Sequence, residues 1–284
     1  MIKLIASDLD GTIIDRSNVI CENNLNAIEV INEKKIPFAI CSGKTYPIIK
    51  NICNQFNATY GIFGNGNQII NLKTGEEIYK KLLNLNDVET CYNISQKHNM
   101  HLHVYTDKEV ITEKLMYLDL RNFKLKETKH YKNSLEFKVV KNVFKYIKEN
   151  NCPVFKLVIS NENNLWLIEN EIKNSTDLLV SKISKHGDYR DNIIDKEYEY
   201  LDITPNGINK KQALDFLSNY LNVKNDEVMT IGDNINDLEM VKSFGVGVAV
   251  ANAYDEIKQV AKYTTSNSVE DGGFAEAVYK FIEF

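Results

Sequence analysis

Two stretches of this chain, residues 2–63 and 213–250, alternate short apolar runs with helical periodicities, and that alternation narrows the possible folds more than any other feature. Residues 2–7, "PFAIC" (37–41) and "YGIF" (60–63) read as buried strands. Residues 23–35 place Leu25, Ile28 and Ile31, with Ala27 and Val30, at helical spacing, and 46–56 repeat the pattern. Later, "ALDFLSNYL" (213–221) reads as helix, "EVMTI" (227–231) as strand, "DLEMVKSF" (237–244) as helix and "VGVAV" (246–250) as strand. Such alternation predicts a parallel sheet with helices on its faces. Between roughly 84 and 204 the texture changes: strand-like "LHVYT", "FKLVIS" and "LLVSKIS" are interleaved with helical "VETCYNISQKH" and "NVFKYIKEN". The expected fold is therefore α/β: a Rossmann-like parallel-sheet core from residues 1–83 and 205–284, with an inserted α+β cap domain at 84–204. A length of 284 residues exceeds the roughly 100–200 of one domain, which fits this division.

Hydrophobic residues make up 43% and charged residues 26%, and no apolar run reaches the roughly 18 residues of a membrane span. The start, "MIKLIASDLD", lacks the long apolar centre of a secretory signal. A soluble, cytoplasmic chain is expected. The five cysteines (Cys21, Cys41, Cys53, Cys91, Cys152) are widely spaced without a C-x-x-C pair, so they signal neither a disulfide framework nor a zinc site. A net charge of −5 argues against a nucleic-acid surface, which needs a basic patch.

The chemistry sits where predicted strands end, because ligands of an open parallel sheet bind outside the carboxyl ends of its strands. Asp8 and Asp10, in "DLDGT", follow the first strand; Ser42 and Gly43 follow the second; Asn65 and Gly66 follow the third; Gly232 and Asp233 follow "EVMTI". A lone D-x-D-G reads equally as a solvated turn. Three acids at two separate strand ends call for a cation, and an all-oxygen set suits Mg²⁺. Asp233 is assigned to the metal. Asp237, four residues on, falls in the first turn of a helix, where a negative charge is favoured in any case; it takes a supporting place in the metal set.

Ser42 and Gly43, between a strand and a helix, offer a hydroxyl and backbone N–H groups that fit a phosphate, although Ser is also a common helix N-cap. Lys210, in "TPNGINKKQAL", opens a helix, where a cation opposes the macrodipole. A phosphate oxygen and the Asp8 carboxylate would account for it. Lys211 reads as a solvated surface charge.

The order D-x-D-G-T, strand-end Ser, Lys after an insert, then G-D-x-x-N-D resembles the haloacid dehalogenase (HAD) superfamily. "TPNGINKKQAL", "GDNINDLEM" and "VGVAVANAYDEIKQVAKYTTSNSVEDGG" are similar to its Cof-type sugar-phosphate phosphatases. The resemblance implies a phosphatase in which Asp8 is the nucleophile, forming an aspartyl-phosphate, while Asp10 protonates the leaving alcohol and then activates water. It implies that Asp8, the Asp10 carbonyl and Asp233 bind Mg²⁺, that Ser42, Gly43 and Lys210 hold phosphate oxygens, and that Asn236 orients Asp8, Lys210 or the phosphate. Asn252 and Asn267 fall in family-like tail segments. Lys44 stands where relatives carry Arg in T-G-R, and Asn67 where a small residue is usual.

By the same resemblance the insert is a lid that selects the leaving group. His98, His101 and His103 read as two surface residues and one buried, and Trp166 as packing of the insert; Tyr117, Tyr131 and Tyr189 are candidates to face substrate. The expected partner is a small phosphorylated metabolite, with no nucleic acid and no membrane, acting on a monomer or dimer. A phosphomutase with the same intermediate is an alternative. Another is a non-catalytic phosphate- or partner-binding protein, since fold alone does not prove activity.

Overall fold

The computed structural model describes residues 1–15, 17, 19–115, 136–160, 165–185 and 198–282. Tyr117, Tyr131 and Tyr189 lie outside the described residues. The chain divides into two compact units, one from residues 1–80 and 208–284, the other from 81–120 and 135–207.

In the first unit, β1 (Leu4–Asp8), β2 (Phe38–Cys41), β3 (Tyr60–Phe63), β12 (Val228–Gly232), β13 (Val246–Ala249) and β14 (Tyr263–Thr264) run parallel. The order is β14-β13-β12-β1-β2-β3, continued by β4 (Gln68–Asn71) and β5 (Glu77–Lys80), which pair antiparallel. The central strands β1, β2, β3 and β12 are buried along their whole length, which is why they read as unbroken apolar runs rather than alternating ones. Among the helices of this unit, α1 (Glu22–Glu33) buries Ala27, Ile28 and Ile31, and α2 (Tyr46–Gln55) buries Ile48, Ile49 and Ile52.

From β1 the chain winds outward through β2 and β3, then returns after the insert to wind the other way through β12, β13 and β14. The direction of winding reverses between β1 and β12, so a crevice opens at their carboxyl ends, where Asp8 and Gly232 lie.

The second unit holds β6 (His101–Tyr105), β7 (Glu109–Thr112), β8 (Glu136–Val139), β9 (Lys156–Ser160), β10 (Leu178–Lys185) and β11 (Tyr198–Pro205) in the order β10-β11-β9-β6-β7-β8. All pairs are antiparallel except β7–β8. Its helices α3 (Leu85–Lys97), α4 (Val143–Asn150) and α5 (Leu165–Ser175) bury Val88, Ile94, Val143, Ile147, Ile168 and Ile172 against Leu102, Val104, Leu157, Ile159, Leu201 and Ile203. These sheet residues alternate along their strands, so the helices cover one face.

The structure departs from sequence expectation at several points. The units change over at 80/81, where β5 has carried the first sheet to Lys80, and at 207/208, against 83/84 and 204/205 from the sequence. Trp166 is 59% exposed: α5 buries Leu165, Ile168 and Ile172, and the neighbouring position falls outside that stripe. The three histidines agree with expectation, since only His103 is buried; His98 bonds Glu171, 2.7 Å away. No described helix is long and apolar enough to cross a membrane.

Candidate active site

The β1 backbone ends at Asp8, level with Cys41 on β2, so Ser42 lies one step beyond its neighbour strand. The chain then turns sharply at Gly11, whose φ of +90° lies in the left-handed region. A Cβ there would stand 2.4 Å from Asp233 Oδ2, so only glycine lets the loop approach that carboxylate. Gly11 N–H donates to Ile14 O, and Asn252 Nδ2 donates to Gly11 O, closing the turn. Asn252 Oδ1 in turn accepts from Val269 N–H, which fixes the turn to the C-terminal segment.

Helix α6 (Lys210–Tyr220) starts with Asn209 as N-cap, accepting from Gln212 N–H. Its first residue, Lys210, is fully buried. The Lys210 Nζ lies 2.5 Å from Asp8 Oδ1 and 2.7 Å from Asp237 Oδ1. Asp237, also fully buried, spends its other oxygen on the N–H groups of Asp233 and Asn234, at 3.2 and 3.1 Å. It thereby shapes the turn that follows β12 and clamps Lys210. A short 3₁₀ turn, Ile235–Asp237, precedes α7 (Leu238–Ser243), so Asp237 ends that turn instead of sitting inside the helix. Lys211 pairs with Asp215 on the outer side of α6.

Oxygens of Asp8, Asp233 and Asp237 lie within 4.8 Å of one another. Three carboxylates around one ammonium leave two negative charges in excess in a nearly dry place. Burial, then Asp237, push Asp8 well above the usual carboxylate range, with Asp233 and Asp10 adding to the rise and Lys210 opposing it. Burial and Asp237 push Asp233 up to about 7, against the Thr12 hydroxyl that donates to Asp233 Oδ1 at 3.1 Å. Burial alone would pull the Lys210 ammonium down, but Asp237 and Asp8 more than reverse it. Burial also raises the Cys41 thiol, level with Asp8 on β2, so that it stays protonated.

A divalent cation fits this donor set. It is all oxygen, its excess charge equals that of Mg²⁺, and Asp8 Oδ2 and Asp233 Oδ2 accept no hydrogen bond from a described side chain. Asp237 differs, because both its oxygens already serve protein donors.

Asp10 stands apart from that cluster. Its side chain is 43% exposed and pairs with Lys44, 2.5 Å from Nζ to Oδ1. Ser42 is buried, and its Oγ accepts from Lys44 N–H. Ser42 and Gly43 do not form the helix N-terminus: Ser42 N–H extends the sheet by donating to Ile62 O, and α2 starts at Tyr46 behind Thr45, with Pro47 in its first turn. Asn236 reaches the end of β3, its Nδ2 donating to Asn65 Oδ1 at 3.0 Å. Asn65, at φ +58°, also lines Gly43, where a Cβ would meet its side chain at 3.0 Å. Asn267 is exposed and only its backbone is engaged, with Glu276, Thr265 and Ala251. Sequence reasoning missed Thr12, Asn65 as the partner of Asn236, and the contact between Lys44 and Asp10; the polar tract "GNGN" was the one available hint.

Residues 5–278 match the family of haloacid dehalogenase-like hydrolases. The chain belongs to that family. It is 27% identical to a phosphoglycolate phosphatase of Methanobrevibacter smithii, over 99% of both chains. It is 25% identical to a 5-amino-6-(5-phospho-D-ribitylamino)uracil phosphatase of Bacillus subtilis, over 95% of this chain and 92% of that one. Among solved structures, a haloacid dehalogenase-like hydrolase from Bacteroides thetaiotaomicron superposes with a TM-score of 0.84 at 26% identity, covering 99% of this chain and 100% of its own. The described fold is thus the one this hydrolase family uses.

Proposed function

We propose that this family member is a Mg²⁺-dependent phosphatase of small phosphomonoesters that works through an aspartyl-phosphate on Asp8. The observation that carries the reading is the group of Asp8, Asp237 and Lys210, all buried, with the half-buried Asp233, at the crevice where the sheet reverses its winding.

Asp8 and Asp233 would hold the metal, supported by Asp237 and by the Asp10 carbonyl; when bound, Mg²⁺ neutralises charge on the phosphoryl oxygens. Lys210, Ser42, Gly43 and Asn236 are the groups that would hold the phosphate. Asp8, kept in place by Lys210, attacks phosphorus in line as the ester P–O bond breaks. Asp10 gives its proton to the leaving oxygen. Water then attacks the acylphosphate, Asp10 takes back a proton, and the P–O bond to Asp8 breaks to release inorganic phosphate. Lys44 pairs with Asp10 in the resting site.

The insert, as the segment without a share in this chemistry, would select the leaving group. The two phosphatase relatives act on unlike esters, a phosphoglycolate and a ribitylaminouracil phosphate, so the reading stops at the class of small phosphomonoesters. Phosphate release from p-nitrophenyl phosphate, with Mg²⁺ and with EDTA, tests it against Asp8→Asn. Metal-dependent release by the wild type alone is expected. No release, together with phosphoryl transfer between sugar phosphates, would replace the reading by a mutase; neither activity would replace it by a binding protein.

A further inference from the structure

Asp10 and Asp233 sit on separate loops, one after β1 and the other after β12, and their like charges repel. The distance between those loops sets the room left for a cation. Both are bonded to a third segment that holds no acid, residues 250–254, which directly follows β13. Asn252 Nδ2 donates to Gly11 O, in the first loop, at 2.8 Å. Tyr254 N–H donates to Asp233 O, in the second, at 2.9 Å. A longer bond of 3.3 Å joins Val250 N–H to Gly232 O.

This segment is itself firmly seated. Ala253 N–H donates back to Val250 O at 2.9 Å, and Ala251 N–H donates to the buried Thr265 hydroxyl at 3.0 Å. Asn252 Oδ1 accepts from Val269 N–H at 2.7 Å. Val269 O in turn accepts from Asn24 Nδ2 at 3.3 Å, and the same fully buried amide donates to Ile13 O at 3.1 Å. The turn from Gly11 to Ile13 is thus tied to Val269 at both ends through two asparagine side chains. Asparagine suits such a place because its amide donates from one atom and accepts at the other. Asn252 is exposed, so water could serve its two backbone partners if their hydrogen bonds were all that mattered. Water would not fix the distance between the loops.

We propose that Asn252 is a positioning residue for the metal: by holding Gly11 O from the segment that also holds Asp233 O, it sets the spacing of the two acid-bearing loops and with it the affinity for Mg²⁺. The inference rests on the metal set of the reading above. The Asp10 carbonyl immediately precedes Gly11, and Thr12, whose hydroxyl donates to Asp233 Oδ1 at 3.1 Å, immediately follows it. Freeing Gly11 O loosens both. Asn252 acts through backbone groups, and loss of such an outer contact lowers metal affinity by about 10- to 100-fold.

The test is calorimetric titration of the intact protein with Mg²⁺, with thermal melting in EDTA beside it. Asn252→Ala is expected to bind Mg²⁺ about 10- to 100-fold more weakly than wild type. Asn32→Ala controls for a merely structural loss: Asn32 Nδ2 also donates to backbone carbonyls, of Ile28 and Phe56 at 2.9 and 3.1 Å, but near the end of α1, which leads into the start of β2. It should lower Tm and keep the wild-type affinity for Mg²⁺. On p-nitrophenyl phosphate, Asn252→Ala should come within about threefold of the wild-type kcat once Mg²⁺ is saturating, as a defect of metal affinity alone requires. Equal Mg²⁺ affinity in wild type and Asn252→Ala overturns the inference and leaves the phosphatase reading standing. So does an equal weakening in Asn32→Ala, or a loss of kcat that saturating Mg²⁺ does not recover. A wild type that binds no Mg²⁺ overturns both readings. One that binds Mg²⁺ but releases no phosphate removes the phosphatase reading alone, and the calorimetric comparison still decides the role of Asn252.

Discussion

Replacing Lys210 by methionine removes the cation that pairs with the buried carboxylates Asp8 and Asp237 while keeping most of the side-chain volume. Lys210 is fully buried and holds Asp8 and Asp237 at 2.5 and 2.7 Å. Removing one partner of a buried pair costs about 3–5 kcal/mol because the other charge is left uncompensated. For a unit of this size, 1 kcal/mol moves Tm by roughly 2–4 °C, so the metal-free variant should melt roughly 6–20 °C below wild type near pH 8. The deficit should depend on pH. Asp233, pushed up to about 7, is held from rising further by Lys210, so loss of that charge raises it. A carboxyl whose folded pKa is raised weighs least on stability below its unfolded pKa, about 3.9, and destabilises increasingly as pH climbs towards its folded pKa. Lys210 is charged in folded and unfolded wild type throughout pH 5–8, so its own contribution is constant there. The gap in Tm should therefore widen from pH 5 to pH 8 in EDTA. Mg²⁺ should narrow it, since a site with one more negative charge gains more from the cation. Differential scanning fluorimetry at four pH values, with EDTA and with Mg²⁺, measures both effects. A deficit that is the same at pH 5 and pH 8 would show that packing, and not charge, explains the buried lysine.

Four further outcomes are expected. Asp8→Asn should lower turnover by at least about a thousandfold while its Tm stays within a few degrees of wild type, because Lys210 keeps Asp237; circular dichroism and phosphate release check the two halves. Apparent Mg²⁺ affinity should rise with pH and level off above about 7, where Asp233 has lost its proton, falling about tenfold per unit below that if one proton is displaced; calorimetric titration between pH 5.5 and 8 reads it. Gly11→Ala places a methyl 2.4 Å from Asp233 Oδ2 at a φ of +90°, so Mg²⁺ binding should weaken about tenfold or more, measured by titration. Trp166→Ala, at a 59% exposed position, should change stability by no more than about 0.5 kcal/mol in urea unfolding.

The elements around the crevice were legible because parallel, doubly covered strands leave continuous apolar runs: "YGIF" was bounded to the residue, and Asp8 and Gly232 fall at strand ends as read. The strands β4, β5, β7, β8 and β11 were not, being mixed in polarity, with a pattern that a loop can equally carry. Within the site, the partnership of Lys210 with Asp8 was read from charge logic. The clamp from Asp237 and the bond between Asn236 and Asn65, 171 residues apart, were hidden because a one-dimensional pattern holds no record of which side chains meet. Trp166 was misplaced for a related reason: its helix was not recognised, so the stripe through Leu165, Ile168 and Ile172 could not assign it to the outside.

The position of β1 in the middle of its sheet bears on the order in which the chain is made. One flank of β1 pairs with β2 shortly after Asp8 is translated, while the other waits for Val228–Gly232. At about 5–20 residues per second, roughly 220 residues take about 10–45 s, and for that time the flank is an open edge. The insert, with its own core, is complete by Gly207. Nascent chains thus hold a finished insert beside a half-paired β1, and the Asp8 cluster can assemble only after β12 has left the ribosome.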